Sequence, residues 1–274
     1  MGLRCVGSTV CYTYNVMKAQ MRAAISESVL DPTFPWKLPK LKWKFCTSPY
    51  KKSAGEWRRL LARAEDGDAE AQSDVAAMYD DGCMNRSGRI LVRRSARKSV
   101  EWYRRAAELG HANAQNNLGV ILSAPGATET SRVEAIAWLK KAARAGSSCA
   151  VNNLAITYRE EGDLRRAVFW FRKCVVSGDD GACVELGIHC YWGRGMRTDL
   201  AAAVRYFRKA TKGKNLSEAE RDDAFFYLGI AYLEGNGVKA SLLKGRKLLE
   251  RANIDNDHLA ASRLLKGLRA SPPR

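Results

Sequence analysis

The sequence predicts an all-α fold, in which about five helix-turn-helix repeats stack into an α/α superhelical solenoid behind an irregular N-terminal arm. The main observation is an Ala-x-x-x-Leu signal that recurs along most of the chain. Its copies lie roughly 30 to 45 residues apart, which is the period of helical-repeat solenoids. The alanines that begin these copies are Ala71, Ala114, Ala150, Ala182, Ala224 and Ala260.

The first helix of each repeat follows from the spacing inside this signal. In the third copy, Ala150, Leu154 and Tyr158 are separated by four residues each, which places all three on one face of one helix. A second helix is predicted where an aromatic or apolar pair precedes a small residue, as Trp138-Leu139 precedes Ala142. The small residue lets two helices approach closely, and the aromatic side chain fills the gap to the next repeat. The predicted helix-ending glycines are Gly110, Gly146 and Gly178.

Two stretches resemble the Sel1-like repeat family, a relative of the tetratricopeptide repeat. One is Trp102-Tyr103-Arg104-Arg105-Ala106-Ala107, and the other places Ala224, Leu228-Gly229 and Tyr232 before a Gly235-x-Gly237 loop. The resemblance covers roughly residues 56–268. It implies a superhelical protein-interaction scaffold with no catalytic residues and no cofactor. The unit at 148–179 lacks the Gly-x-Gly loop and is more similar to a tetratricopeptide unit.

Residues 1–55 fall outside the repeats and are predicted to form a basic and aromatic arm, followed by an unpaired second helix at 56–67. Prolines at 32, 35, 39 and 49 exclude a continuous helix there. The composition of the arm is compatible with three roles: a cap over the first repeat, a nucleic-acid-binding segment or a membrane-contacting segment. Residues 1–20 fit a targeting segment for organellar import or a wrongly assigned start. Residues 269–274 are predicted to be a tail.

The formal net charge of +17 points to an acidic partner, although solubility alone also accounts for it. Eight cysteines are present, and they do not pair within every repeat, which favours a reducing compartment and a cytoplasmic protein. Cys183, His189 and Cys190 lie close together in sequence. No Cys-x-x-Cys accompanies them, so no metal site is expected. No apolar run is long enough to span a membrane.

A partner-binding groove is predicted along the first helices, at the residues that do not pack against the second helices. Counted from each repeat alanine, these are the second, third, sixth, ninth and tenth residues that follow. Asn side chains would hydrogen-bond a peptide backbone in one half of the groove, and aromatic side chains would anchor the partner in the other. The Tyr191-Trp192 pair equally fits a position beneath the Gly193-x-Gly195 loop. The predicted groove residues are Asn116, Asn117, Asn152, Asn153, Arg159, Glu185, Tyr191, Trp192, Phe226 and Tyr227.

The segment 82–98 is predicted to be a long basic loop inside the first repeat. It carries six cations and no acidic residue, which makes it a candidate anion-binding patch, although a solvated surface explains such a run equally simply. The cations are Arg86, Arg89, Arg93, Arg94, Arg97 and Lys98.

No enzyme signature is present, because the chain lacks a nucleophile elbow, a phosphate-binding loop and a His-Glu-x-x-His motif. The sequence therefore predicts a monomeric, non-catalytic adaptor that binds a protein or peptide in its groove. The alternative is binding of RNA or another polyanion through the arm and the 86–98 loop. The apolar C-terminal half of the groove argues against RNA within the groove itself.

Overall fold

A computed structural model describes residues 53–85, 87–124, 126–214, 216–255 and 258–270. The predicted arm up to residue 52 and the tail from residue 271 lie outside these ranges. Within them the chain forms twelve helices and a β-hairpin. The helices are α1 (Ala54–Glu65), α2 (Ala69–Asp81), α3 (Ala96–Glu108), α4 (Ala112–Leu122), α5 (Glu129–Arg144), α6 (Ser148–Glu160), α7 (Leu164–Val176), α8 (Gly181–Trp192), α9 (Leu200–Ala210), α10 (Glu218–Glu234), α11 (Leu242–Arg251) and α12 (Leu259–Ala270). The strands are β1 (Cys83–Met84) and β2 (Ile90–Val92).

Each repeat pairs a first helix with a second helix. The even-numbered helices α2 to α12 are first helices, and the odd-numbered helices α3 to α11 are second helices. Each second helix also contacts the first helix of the next repeat, and α1 packs on α2 as the predicted unpaired second helix. First helices also touch one another directly, α4 with α6 and α8 with α10. These neighbour-to-neighbour contacts confirm the predicted solenoid.

The repeat alanines and leucines form the core, as the sequence predicts. Ala114, Ala150 and Ala224 are completely buried, and so are Leu118 and Leu154. The glycines that follow the second helices, at 110, 146 and 178, all have positive φ, which confirms the predicted left-handed helix ends.

A capping side chain sets the register of most first helices. In each case it accepts a hydrogen bond from the backbone N–H three residues later, which belongs to the core alanine. The acceptors are Asp68, His111, Ser147, Asp179 and His258, at distances of 3.1 to 3.3 Å. The predicted register of the last repeat is therefore wrong by one residue. His258 bonds to Ala261, which is completely buried, whereas Ala260 is exposed.

Two Gly-x-Gly loops lock neighbouring repeats together. Gly195 has a φ of +68°, and a Cβ added there would lie 2.3 Å from the carbonyl oxygen of Leu164, at the start of α7. Gly237 has a φ of +70°, and its Cβ would lie 2.2 Å from the carbonyl oxygen of Leu200, at the start of α9. Both the backbone angle and the close approach require glycine. Each loop therefore rests on the second helix of the preceding repeat.

Within the segment predicted as a long loop at 82–98, β1 and β2 form an antiparallel hairpin instead, and residues 96–98 begin α3. Cys83 pairs with Val92, and both side chains are buried in the core of the first repeat. The Asn85 side chain closes the turn by accepting hydrogen bonds from the backbone of Ser87 and Arg89. Alternation of buried and exposed side chains over only two or three residues is too short to predict a strand from sequence.

Candidate functional site

Three positions on each first helix form parallel rows along the face where the first helices meet. They are the third, sixth and tenth residues after the core alanine, which lie on one helical face. The middle row is apolar, β-branched and half-buried: Val120, Ile156, Ile188 and Ile230. One flanking row is also half-buried: Asn117, Asn153, Glu185 and Tyr227. The other flanking row is exposed: Glu160, Trp192 and Glu234. We call these three rows the groove.

The predicted asparagine positions form a hydrogen-bonded ladder that joins two repeats. Asn153 Nδ2 donates to Asn116 Oδ1 at 2.8 Å, and Asn116 Nδ2 donates to Asn117 Oδ1 at 3.2 Å. Asn117 Nδ2 in turn donates to the hydroxyl of Tyr103 at 3.2 Å. Asn116 is only 6% exposed. Its first task is therefore to hold α4 against α6, while Asn117 and Asn153 keep part of their surface open.

The other polar residues predicted to line the groove also link repeats. Asn152 Nδ2 donates to Asp179 Oδ2 at 3.1 Å, and burial raises the pKa of this Asp179 carboxyl. Arg159 forms an ion pair with Glu185 across α6 and α8, with a nitrogen–oxygen distance of 2.5 Å. Both of these side chains are largely buried. The pair therefore fixes the spacing of two first helices in the middle of the groove.

The structure separates the two residues of the Tyr191-Trp192 pair. Tyr191 is buried, its hydroxyl donates to Glu234 Oε2 at 2.6 Å, and it accepts from Asn236 Nδ2 at 2.8 Å. Burial, together with the hydrogen bond to the carboxylate, raises the pKa of Tyr191 to about 12. Trp192 packs edge-on against Tyr191, with ring centroids 5.1 Å apart, yet remains 55% exposed. A rigid, buried tyrosine thus supports an open tryptophan at the edge of the groove.

The predicted aromatic pair on α10 is partly used in packing. Tyr227 stacks on Phe207 with a centroid distance of 5.3 Å, and Phe226 lies against His258 at 4.7 Å. Both rings are half-buried. They close the C-terminal end of the groove with apolar surface.

The five positions predicted to line the groove differ in solvent exposure. Asn116, Val184 and Tyr191, at the second or ninth position, are buried because neighbouring first helices approach one another on that side. Glu234, which the sequence prediction omits, lies at the open tenth position. The position of the Glu234 side chain depends on the hydrogen bond from Tyr191 in another repeat, and no local sequence pattern predicts that bond.

The cations of the segment 82–98 have acidic and aromatic neighbours that the sequence of the segment does not indicate. Arg89, Arg93 and Arg94 are exposed, and Arg86 lies outside the described residues. Arg97 pairs with Glu101 at 3.0 Å, and the Lys98 ammonium lies 5.1 Å from the ring centroid of Tyr79. Burial raises the pKa of the Asp80 and Asp81 carboxyls, and the nearby Arg94 opposes this rise. Acidic residues outside the loop thus neutralise part of its charge.

The buried thiols and the central histidine have structural partners. His189 Nδ1 lies 2.7 Å from the carbonyl oxygen of Arg194, and burial lowers its pKa. Burial likewise raises the pKa of the Cys174 thiol to about 12. Across the described ranges, Cys149, Cys174, Cys183 and Cys190 carry free thiols, and no three His, Cys, Asp or Glu side chains are grouped to hold a metal ion. In that same part of the chain, no helix combines the length and apolar character needed to cross a membrane.

Known structures share this architecture. The protective antigen c5321 of uropathogenic Escherichia coli, which displays an SLR fold, is 25% identical with a TM-score of 0.65, and the match covers 81% of this chain and 46% of that protein. This chain thus spans less than half of the antigen's length. A Sel1 repeat protein from Oxalobacter formigenes is 23% identical with a TM-score of 0.61, covering 78% of this chain and 82% of the other. YrrB, a TPR protein with an unusual peptide-binding site, is 20% identical with a TM-score of 0.51, covering 78% of this chain and all of YrrB.

The chain matches none of the curated proteins with which it was compared. The Sel1 repeat profile, in contrast, matches five times, at residues 75–111, 112–147, 150–173, 181–215 and 223–254. These matches cover more than half of the sequence and coincide with the helix pairs of the structure. They include the unit at 148–179 that lacks the Gly-x-Gly loop. Proteins with this fold are generally protein-interaction scaffolds. The chain belongs to the Sel1 repeat family.

Proposed function

We propose that the chain is a non-catalytic adaptor whose groove binds an extended segment of a partner protein. The observation that carries this proposal is the continuous apolar row from Val120 to Ile230, bordered on both sides by polar and aromatic side chains. An extended segment alternates its side chains, so one set can enter the apolar row while the backbone meets the flanking amides. YrrB, which has the same fold, has a peptide-binding site.

Trp192 is the anchor in this proposal. Large aromatic side chains on rigid supports dominate binding energies, and the hydroxyl bonds of Tyr191 hold this support in place. Val120, Ile156 and Ile188 would then exclude water along the remainder of the bound segment.

The charges of the groove favour a neutral or basic segment. Glu160 and Glu234 are exposed in the outer row, and Arg159 is already paired with Glu185. The acidic partner expected from the net charge of the chain therefore does not fit the groove. The free thiols of Cys149, Cys174, Cys183 and Cys190 support action in a reducing compartment such as the cytoplasm.

The experiment compares the effects of replacing two exposed aromatic residues, one on a first helix and one on a second helix. A library of extended peptides is screened against the full chain, and the affinity of the best peptide is measured by fluorescence anisotropy. Trp192→Ser should weaken binding at least tenfold, which corresponds to about 1.4 kcal/mol. Phe169→Ser is the matched control, because Phe169 is 52% exposed but lies on the second helix α7. It should change the affinity less than twofold. Equal effects, or an effect of Phe169→Ser alone, would refute groove binding.

A second candidate function is polyanion binding by the basic loop. Arg89 and Arg93 are exposed, and no carboxylate of the described residues forms an ion pair with either. Changing both to Ser should abolish binding to heparin, used as a model polyanion, if this loop is the site. Unchanged binding would exclude it.

A further inference from the structure

Lys and Arg are concentrated on the second helices of the solenoid, although the last first helix, α12, carries Arg263, Lys266 and Arg269. The first helices α2 and α4 contain no Lys or Arg, whereas the second helices α7 and α9 contain no Asp or Glu. The positive charge of the described helices is therefore unevenly distributed. The cations of the two second helices are Arg165, Arg166, Arg172, Lys173, Arg205, Arg208 and Lys209, all exposed. We call this set the second-helix basic face.

The two helices of this face are neighbours. Tyr206 of α9 packs against the core cluster that contains Phe171 and Cys174 of α7. Both helices also pack on the same first helix, α8. The cations of two consecutive repeats therefore combine into one surface.

Most of these cations lack an acidic partner. Arg166 pairs with Asp163 at 3.2 Å, and Arg208 donates to the hydroxyl of Tyr232 at 2.8 Å. For the others, namely Arg165, Arg172, Lys173, Arg205 and Lys209, no carboxylate lies at ion-pair distance within the part of the chain that the structure describes. Clustered like charges repel one another and cost folding free energy. A bound polyanion would remove that cost.

Aromatic rings lie among these cations. Phe169 is 52% exposed, and the Lys173 ammonium lies 4.8 Å from its ring centroid and 4.6 Å from that of Trp170. The same arrangement, with a cation three residues after an aromatic, recurs on α3 and α5. There Arg105 lies 4.6 Å from Trp102 and Lys141 lies 4.0 Å from Trp138. Cations interleaved with rings match a ligand that has both phosphates and flat bases.

We propose that the second-helix basic face binds the backbone of a single-stranded nucleic acid, independently of the groove. A polymer with one charge per unit matches a surface that repeats its cations from one repeat to the next. A membrane fits less well, because α7 exposes Phe169 and Val176 but α9 continues the charge with no large exposed apolar side chain. A protein interface has an apolar centre, and α9 exposes no large apolar side chain to supply one.

The test measures binding of a fluorescent oligo(U) RNA, and of oligo(dT) DNA of equal length, to the full chain as salt is varied. A surface that contacts phosphates and stacks bases does not read the 2′-hydroxyl, so both should bind. The face variant combines Arg172→Ser, Lys173→Ser, Arg205→Ser and Lys209→Ser. The control variant removes the same charge at exposed sites elsewhere, by Arg58→Ser, Arg59→Ser, Lys239→Ser and Lys266→Ser.

The face variant should bind at least tenfold more weakly than wild type. Its slope of log affinity against log salt should be smaller by about 3, from four lost phosphate contacts. The control variant should remain within threefold of wild type. An equal loss in both variants would overturn the proposal, and so would binding to phosphatidylserine vesicles with none to either oligonucleotide. Should the Ser variants unfold, Gln at the same positions keeps the side-chain bulk, and the comparison stands.

Discussion

Replacing the glycine of the Leu-Gly motif with alanine should destabilise one repeat and leave another nearly unchanged. A Cβ added at Gly187 would lie 2.4 to 2.9 Å from three atoms of the Phe207 ring, which is completely buried. A Cβ added at Gly229 would meet Leu249 at 3.1 Å and the carbonyl oxygen of Gly245 at 3.3 Å, so a shift of a few tenths of an ångström relieves both contacts. Both glycines lie inside helices, so both substitutions gain about 1 kcal/mol of helix propensity.

The balance of these effects gives the expected sign. Overpacking a buried ring costs about 3 kcal/mol, the upper end of its usual range, because the ring cannot leave its site. Gly187→Ala should therefore lower the free energy of unfolding by about 2 kcal/mol. Gly229→Ala should change it by less than about 1 kcal/mol, since the smaller clash and the propensity gain nearly cancel.

The assay is urea denaturation followed by tryptophan fluorescence and by circular dichroism. Repeat arrays do not always unfold in two states, so the transition midpoints of the two probes are compared first. Adding Phe207→Leu to Gly187→Ala should recover part of the lost stability, because the two residues are in contact. A Gly187→Ala protein as stable as wild type would refute the close helix packing on which this reasoning depends.

Three further predictions concern the loops, the central histidine and the groove support. Gly195→Ala should lower the free energy of unfolding more than Gly178→Ala. Both glycines have positive φ, so each substitution costs about 1 to 2 kcal/mol, but only the Cβ at 195 would also clash with the backbone of α7. Because burial lowers the pKa of His189, the folded state binds fewer protons than the unfolded state between that lowered pKa and about 6.5. Stability should fall as pH drops through this window, and His189→Asn should flatten the fall. Tyr191→Phe should cost about 1 kcal/mol, since two hydrogen bonds of the hydroxyl are lost.

Denaturation midpoints measure all three. Equal losses for the two glycine variants would contradict the seating of the loop on α7. An unchanged pH profile after His189→Asn would mean that another group causes the acid sensitivity. A Tyr191→Phe protein with wild-type stability would show that the hydroxyl bonds do not fix the support of Trp192.

Local patterns in the sequence predict the repeats well because they depend on close packing within one unit. Ala182 and Leu186 lie four residues apart, and this spacing alone identifies a buried helical face. The last repeat is mispredicted because Ala260 and Ala261 fit the spacing equally, and only the hydrogen bond from Ala261 to His258 decides between them. The capping residues that stand three positions before most of the repeat alanines would have resolved this ambiguity.

The groove is harder to predict because it depends on how successive repeats rotate against each other. Tyr191 and Glu234 are 43 residues apart, and their hydrogen bond buries a residue that the helical spacing leaves open. Asn116 is hidden in the same way by Asn153 of the next repeat. The concentration of Lys and Arg on second helices, in contrast, follows from the sequence alone. It becomes visible once the helix boundaries are fixed.

The most direct test of groove binding is photo-cross-linking to the peptide selected against the full chain. Benzoylphenylalanine is introduced at Glu160, in the exposed row of the groove, and in a second protein at Val176, which is 87% exposed on α7. If the peptide binds in the groove, it should cross-link to position 160 and not to position 176. Cross-links from position 176 alone would contradict groove binding, because the peptide would then lie on the second helices and the groove would not be the binding site.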